Sequence, residues 1–244
     1  MVANNVLAHV PDIRDFVAGF SILLKPEGVV TFEFPHVLHL IREAQFDTIY
    51  HEHFSYLSLL AAERVFAAAG LKAIDVEEIP THGGSLRIYA ARRDSARMAA
   101  PSLDAVRAKE RGMSLDRLEG YSGFAERVNA IKVAFLNFVA DARGAGKTIA
   151  AYGAAAKGNT FLNYCGVTRV DIACVFDRSP AKQGKLLPGS HIPIFAPERL
   201  AEIRPDFLVI LPWNLTSEIT AASAALTSWG GQFVVAVPQL RIFS

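Results

Sequence analysis

The sequence predicts an α/β chain of two units: the second half of a doubly wound sheet with an antiparallel edge, then a smaller parallel sheet. Three observations carry this. Short β-rich apolar runs alternate with stretches of helical apolar spacing. The alternation gives way to a long polar and helical stretch and restarts at Lys147. The opening residues, Met1-Val2-Ala3-Asn4-Asn5-Val6-Leu7-Ala8-His9, read as the end of a strand and the loop after it, a fold entered halfway.

The elements follow in order. Ile13, Phe16, Val17, Phe20, Leu23 and Leu24 have helical spacing, and Lys25-Pro26-Glu27-Gly28 stops that helix. Val29 to Phe34 is a strand ended by Pro35. Ser58 can cap a helix running to Ala69 and closed by Gly70. Leu71 to Ile79 and Ser85 to Ala91 read as hairpin strands around Thr81-His82-Gly83-Gly84. After the polar segment 92–117, Phe124, Val128, Ile131, Phe135, Phe138 and Val139 mark a long amphipathic helix. Then come a strand at Thr148 to Tyr152, a Gly/Ala-rich turn at Gly153 to Asn159 that opens a helix, and strands at Val170 to Phe176, Phe207 to Leu211 and Phe233 to Val237. The expected organisation is 1–93 as a half-sheet domain, 94–146 as a helical connector, and 147–244 as a second α/β domain.

Composition narrows the function. Of 244 residues, 51% are hydrophobic, which supports a generous core. A net charge of +1 gives no basic face for nucleic acid. No apolar run approaches the roughly 18 residues of a membrane span, and no signal peptide is visible. Two cysteines, Cys165 and Cys174, read as small buried apolar residues and fit a reducing cytoplasm. The expected partner is a small molecule. The unpaired edge of the half-sheet is also a place where a homodimer could form.

The chemistry concentrates in Tyr50-His51-Glu52-His53-Phe54-Ser55-Tyr56, where two imidazoles, a carboxylate and two phenols crowd one run after a strand. His9 follows the preceding strand. Loops after successive parallel strands meet at the carboxyl edge of a sheet. His9, Tyr50, Glu52 and His53 can therefore share a pocket. Such a set suits removal of a proton beside a carbonyl: an imidazole takes it, a carboxylate orients the imidazole, and a phenol donates to the enolate. The plainer alternative has His51 and Tyr56 capping backbone groups and Glu52 pairing with Arg42. No metal is expected in this run, because Ser55 stands where the H-E-x-x-H spacing needs its second histidine.

Two turns are candidates for ligand contact. Gly153, Lys157 and Asn159 could hold an anion at a helix N-terminus. Asp177, at the end of the next strand, sits where this kind of fold binds ribose hydroxyls. Lys182 and Lys185 lie in the loop beyond it. The spacing is neither G-x-G-x-x-G nor a Walker loop, so a tight turn without ligand is the alternative. Thr81, His82 and Gly83 form either a plain turn or a substrate wall.

Ala3 to His9, Gln45 to Ser58, Thr81 to Tyr89 and Tyr152 to Asn159 occur in that order in a known family. In these segments the chain resembles S-adenosylmethionine-dependent sugar C-methyltransferases of deoxysugar biosynthesis. The resemblance implies the back half of a class I methyltransferase Rossmann sheet, followed by a Rossmann-like domain that helps hold a nucleotide sugar. It implies methylation of C3 of a nucleotide-linked 4-keto sugar. His53 would be the base, and His9, Tyr50 and Glu52 its partners around the 4-keto oxygen. The family's zinc cysteines and glycine-rich cofactor loop have no counterpart here, so an incomplete S-adenosylmethionine site is expected. Two other readings stay open: a nucleotide-sugar binding module without catalysis, and a dinucleotide-binding, oxidoreductase-like domain.

Overall fold

The computed structural model describes all of residues 1–244. The chain forms two compact units, Met1–Arg42 with His51–Phe124, and Glu43–Tyr50 with Ala125–Ser244. The segment Glu43–Tyr50 thus belongs to the second unit although both its flanks belong to the first.

The first unit contains β1 (Val2–Asn4), α1 (Ile13–Leu23), β2 (Val30–Pro35), α2 (Val37–Arg42), α3 (Leu59–Ala68), β3 (Leu71–Ile79), β4 (Ser85–Arg92) and α4 (Pro101–Gly112). Its sheet has the order β1-β2-β4-β3. β1 and β2 are parallel, and β4 is antiparallel to both its neighbours. The sheet is thus mixed, with the expected antiparallel edge. The helices start where side chains take the first free N–H groups. Asp12 Oδ1 accepts from Arg14 and Asp15 N–H at 3.0 Å each. Ser58 Oγ accepts from Ala61 N–H at 3.0 Å, as its position in the sequence suggests. Phe32 on β2 joins the helices to the sheet, its ring 5.1 Å from Phe20 of α1 and 4.9 Å from Phe66 of α3. Cross-strand register sets Glu33, Arg87 and Glu77 side by side. The Arg87 guanidinium donates to Glu33 at 2.8 Å and 3.1 Å, a charge ladder that supports the pairing of three strands.

Within residues 94–146, α4 packs into the first unit, with Leu103 and Val106 in its core. The next helix, α5 (Phe124–Gly144), lies in the second unit from Ala125 onward. Glu110 of α4 is wholly buried. Its carboxylate accepts from Leu59 N–H at 2.6 Å and Leu60 N–H at 2.9 Å, and pairs with His36 Nε2 at 2.8 Å. One carboxylate thereby closes the start of α3 and fixes the residue that follows β2.

The second unit continues with β5 (Ile149–Tyr152), α6 (Ala156–Cys165), β6 (Val175–Phe176), β7 (Ile194–Phe195), α7 (Leu200–Ile203), β8 (Phe207–Ile210), α8 (Thr216–Ala222), β9 (Gln232–Val235) and β10 (Arg241–Phe243). The sheet order is β10-β9-β8-β5-β6-β7, parallel except for β10. Counted from β5, the parallel part runs 3-2-1-4-5, the doubly wound order. The expected strand from Val170 shrinks to Val175–Phe176. The Asp171 carboxylate accepts from Thr168 N–H at 2.9 Å and holds a turn where the sequence suggested extension. Cys165 and Cys174 are free and buried, and burial pushes both thiols up to about 12. No helix is long and apolar enough to cross a membrane.

Glu110→Ala should destabilise the first unit by roughly 3–5 kcal/mol, because it strands a buried and a half-buried N–H group and a buried imidazole. Ser58→Ala should cost about 1 kcal/mol. Urea unfolding of both variants checks this. Equal small losses would show that Glu110 does not anchor the unit.

Candidate active site

The first cluster is built by backbone. The loop after β1 closes in a short 3-10 turn, Leu7–His9. The Ala8 carbonyl accepts from Phe54 N–H at 2.8 Å and from Ser55 N–H at 3.3 Å. That pins the histidine run to the carboxyl end of β1. The His9 and His53 rings meet edge to face at 4.8 Å, with Tyr56 6.0 Å from His53. Two residues 44 positions apart are thus brought together, as expected of loops after adjacent parallel strands.

The other members of the run are placed differently. Glu52 is exposed, and its carboxylate lies 4.0 Å from His51 Nε2, where a partner of His53 was expected. The His51 side chain is 86% exposed. Arg42, the alternative partner for Glu52, instead donates to His39 Nδ1 at 2.9 Å. Tyr50 closes the segment that belongs to the second unit. Thr81, His82 and Gly83 form an exposed turn after β3. β3 runs parallel to β2 through the shared antiparallel β4, so this turn lies at the same sheet edge as the loops after β1 and β2.

In the second unit, the strand order reverses between β5 and β8, and ligands of such sheets bind outside the carboxyl ends at that point. The loops found there are Gly153 to Ala155 and Leu211 to Asn214. Gly153 adopts φ +96°, and a Cβ on it would fall 2.4 Å from Pro212 Cγ, so only glycine lets the two loops touch. α6 starts at Ala156 without a side-chain cap, which leaves its first-turn N–H groups open to an anion.

Asp177 serves the turn itself. Its carboxylate accepts from Ala154 N–H and Ser179 N–H at 2.8 Å each, and from Lys182 Nζ at 3.3 Å. A ribose would have to displace these donors. Lys157 Nζ donates to Asn214 Oδ1 at 2.7 Å and sits 4.6 Å above the Trp213 ring. The Asn159 Oδ1 atom is buried without a partner.

Asp47 completes this site and was not foreseen from sequence. It is 1% exposed, and one carboxylate oxygen accepts from Trp213 Nε1 at 2.8 Å. The other oxygen has no partner. A cavity of about 10 Å³ lies beside it, lined also by Phe161, Leu211 and Val237. Burial pushes the Asp47 carboxyl up from 3.8 to about 6, against the lowering effects of the Trp213 hydrogen bond and the Lys157 charge. Burial pushes the Lys157 ammonium down, and Asp47 opposes this. The one available signal was that Trp213 and Asn214 follow a strand end. Nothing local pointed to Asp47, which lies 166 positions from Trp213.

Between pH 3.8 and about 6, folded Asp47 keeps a proton that the unfolded chain has released. Stability of the second unit should therefore fall as pH rises through that window, by on the order of 3 kcal/mol. Asp47→Asn should remove this slope. In a Trp229→Phe background, Trp213 emission should titrate with a midpoint near 6 and become flat in Asp47→Asn. A flat profile in the parent would refute the assignment.

Comparisons with known proteins give the family. Residues 80–238 match the model of a C-methyltransferase C-terminal domain, and residues 1–76 that of a methyltransferase domain. The border between the two matches falls within the β3–β4 hairpin, so it is no structural break. The chain is 38% identical over 237 residues to the C-methyltransferase NovU of Streptomyces niveus. That alignment covers 97% of this chain and 56% of the relative, so the chain spans little more than half the relative's length. On these matches the chain belongs to the C-methyltransferase family.

Proposed function

We propose that this chain carries the base and the nucleotide-sugar seat of an S-adenosylmethionine-dependent C-methyltransferase that acts on C3 of a nucleotide-linked 4-keto-deoxysugar. The observation that supports this most is the His9–His53 pair, held on the Ala8 carbonyl at a sheet edge. A C–H beside a ketone gives up its proton only if the enolate oxygen is stabilised as it forms. His53 takes the C3 proton, and the C–H electron pair moves into the enolate. His9 is the donor that the first unit offers to the 4-keto oxygen. Glu52, beside His51, has no part in orienting His53 in this reading. Thr81, His82 and Gly83 would wall the sugar from the same sheet edge. The second unit, taken by itself, offers an anion the open N-terminus of α6 with Lys157, Asn159 and Asn214, while Asp177 holds the Gly153 turn in shape.

S-adenosylmethionine supplies the methyl group when bound. A second reading is a nucleotide-sugar binding module without catalysis. Membership of the C-methyltransferase family, and the committed carboxylate of Asp177, set the oxidoreductase reading aside.

Deuterium exchange separates the two remaining readings, because it needs the base and the seat but no cofactor. In D2O the chain should wash the C3 hydrogen out of a nucleotide-linked 4-keto-deoxysugar, followed by proton NMR. His53→Ala should slow this by at least about 100-fold, with calorimetric affinity for thymidine diphosphate unchanged. Exchange that survives the substitution removes His53 as the base. Diphosphate binding without any exchange in the parent favours the binding module. S-adenosylhomocysteine should not bind, and tight binding would show that the cofactor site is complete after all.

A further inference from the structure

A second histidine cluster lies in the first unit, apart from the run that contains His53, and no step of the proposed reaction uses it. His36 follows β2, His39 lies on α2 and Glu78 lies on β3. One ring nitrogen from each histidine and one Glu78 oxygen all lie within 4.8 Å of one another. We propose that His36, His39 and Glu78 form a divalent transition-metal site of the zinc class.

Two imidazoles and a carboxylate are a standard donor set for Zn²⁺, with an open fourth position. The site is built from behind. His36 is 1% exposed, and its Nε2 is held by the buried Glu110 carboxylate at 2.8 Å. A carboxylate on the far nitrogen is the usual support of a metal-binding imidazole, since it fixes the ring and its tautomer. The other ring nitrogen, Nδ1, is buried with no partner. A buried ring nitrogen left without a partner calls for an explanation, and a metal supplies one.

The His39 ring is also seated. It lies edge to face with His36 at 5.7 Å and fills the space where a Cβ on Gly84 would fall, 2.5 Å from His39 Cδ2. Gly84 has φ +114°, so the turn after β3 keeps glycine there both for backbone conformation and for this ring. Metal bonds of about 2.0–2.2 Å require donors closer together than they stand here. His36 is fixed, so His39 and Glu78, which are less buried, would make the adjustment.

Two cationic side chains already sit at this donor set. Lys109 pairs with Glu78, and Arg42 donates to His39 Nδ1 at 2.9 Å. Both contacts reach solvent, and exposed pairs of this kind contribute about 1 kcal/mol or less. A divalent ion would take their place. It would tie the turn after β3 to α2 and, through Glu110, to the start of α3.

The test uses the 244-residue chain, free of any affinity tag and stripped with chelator. ZnCl2 is titrated by calorimetry, and CoCl2 by visible spectroscopy. The expected result is one ion per chain, tetrahedral Co²⁺ bands and a raised Tm with Zn²⁺. His39→Gln and Glu78→Gln should each weaken binding at least about tenfold, and Glu110→Gln by roughly 10–100-fold through the His36 ring. Lys109→Met should tighten it. His36→Gln risks the buried pair, so the proposal is judged on His39 and Glu78. His53→Ala should bind as the parent does. The proposal is overturned if no ion saturates at millimolar metal, or if binding survives in His39→Gln and Glu78→Gln. Loss in His53→Ala alone overturns it too, since the ion would then sit on the other cluster.

Discussion

The hydrogen bond from Trp213 Nε1 to Asp47 is the constraint on which the chain's path depends. It holds a short segment inside a unit to which neither of its flanks belongs. Phe46 reinforces the anchor, its ring 4.9 Å from Tyr164 and 6.0 Å from Phe161. The first residue after the segment is His51, and the histidine run follows at once. Two different contacts act along this stretch of chain. A buried side chain holds what precedes it, and the Ala8 carbonyl holds its middle.

Buried or half-buried carboxylates recur as the devices that set backbone in place. Glu110 closes the start of α3, Asp177 the Gly153 turn, and Asp47 the crossing segment. Burying a carboxylate is costly unless donors surround it. Glu110 has three, and Asp177 has two N–H groups and an ammonium. Asp47 has the Trp213 indole, with Lys157 near enough to act by charge alone, and burial pushes it up to about 6. The exposed Glu52, which lies in the most conspicuous run of the sequence, carries no such duty.

Local chemistry made much of this legible. Ser58 and Gly70 bound α3 because capping is decided within a few residues. The meeting of His9 and His53 was legible because parallel strands deliver their loops to one edge. Partner choice over long distances was not. Three acids in the histidine-run half of the chain, Asp47, Glu52 and Glu110, look alike in sequence, yet one binds an indole, one faces solvent and one caps a helix. The short helix α2 was missed because it follows Pro35 and spans only six residues, too few to show a period. The strand expected at Val170 starts late because Asp171 N–H and Ile172 N–H both donate to the Thr168 carbonyl and turn the chain there.

The second unit shows why a glycine-rich turn is a poor guide to where charge is received. Gly153 N–H is spent on the Phe176 carbonyl, Ala154 N–H on Asp177, and the Ala154 carbonyl on Lys182. The turn is saturated by its own neighbours, and its glycine is there for Pro212. What stays open is the next step along the chain, the uncapped first turn of α6, with Lys157 leaning from it toward Asn214. An anion entering this unit meets donors there and a carboxylate at the turn. Electrostatics alone therefore moves the favoured position off the glycines and onto the helix, on the side where Asp47 lies close enough to feel the Lys157 charge.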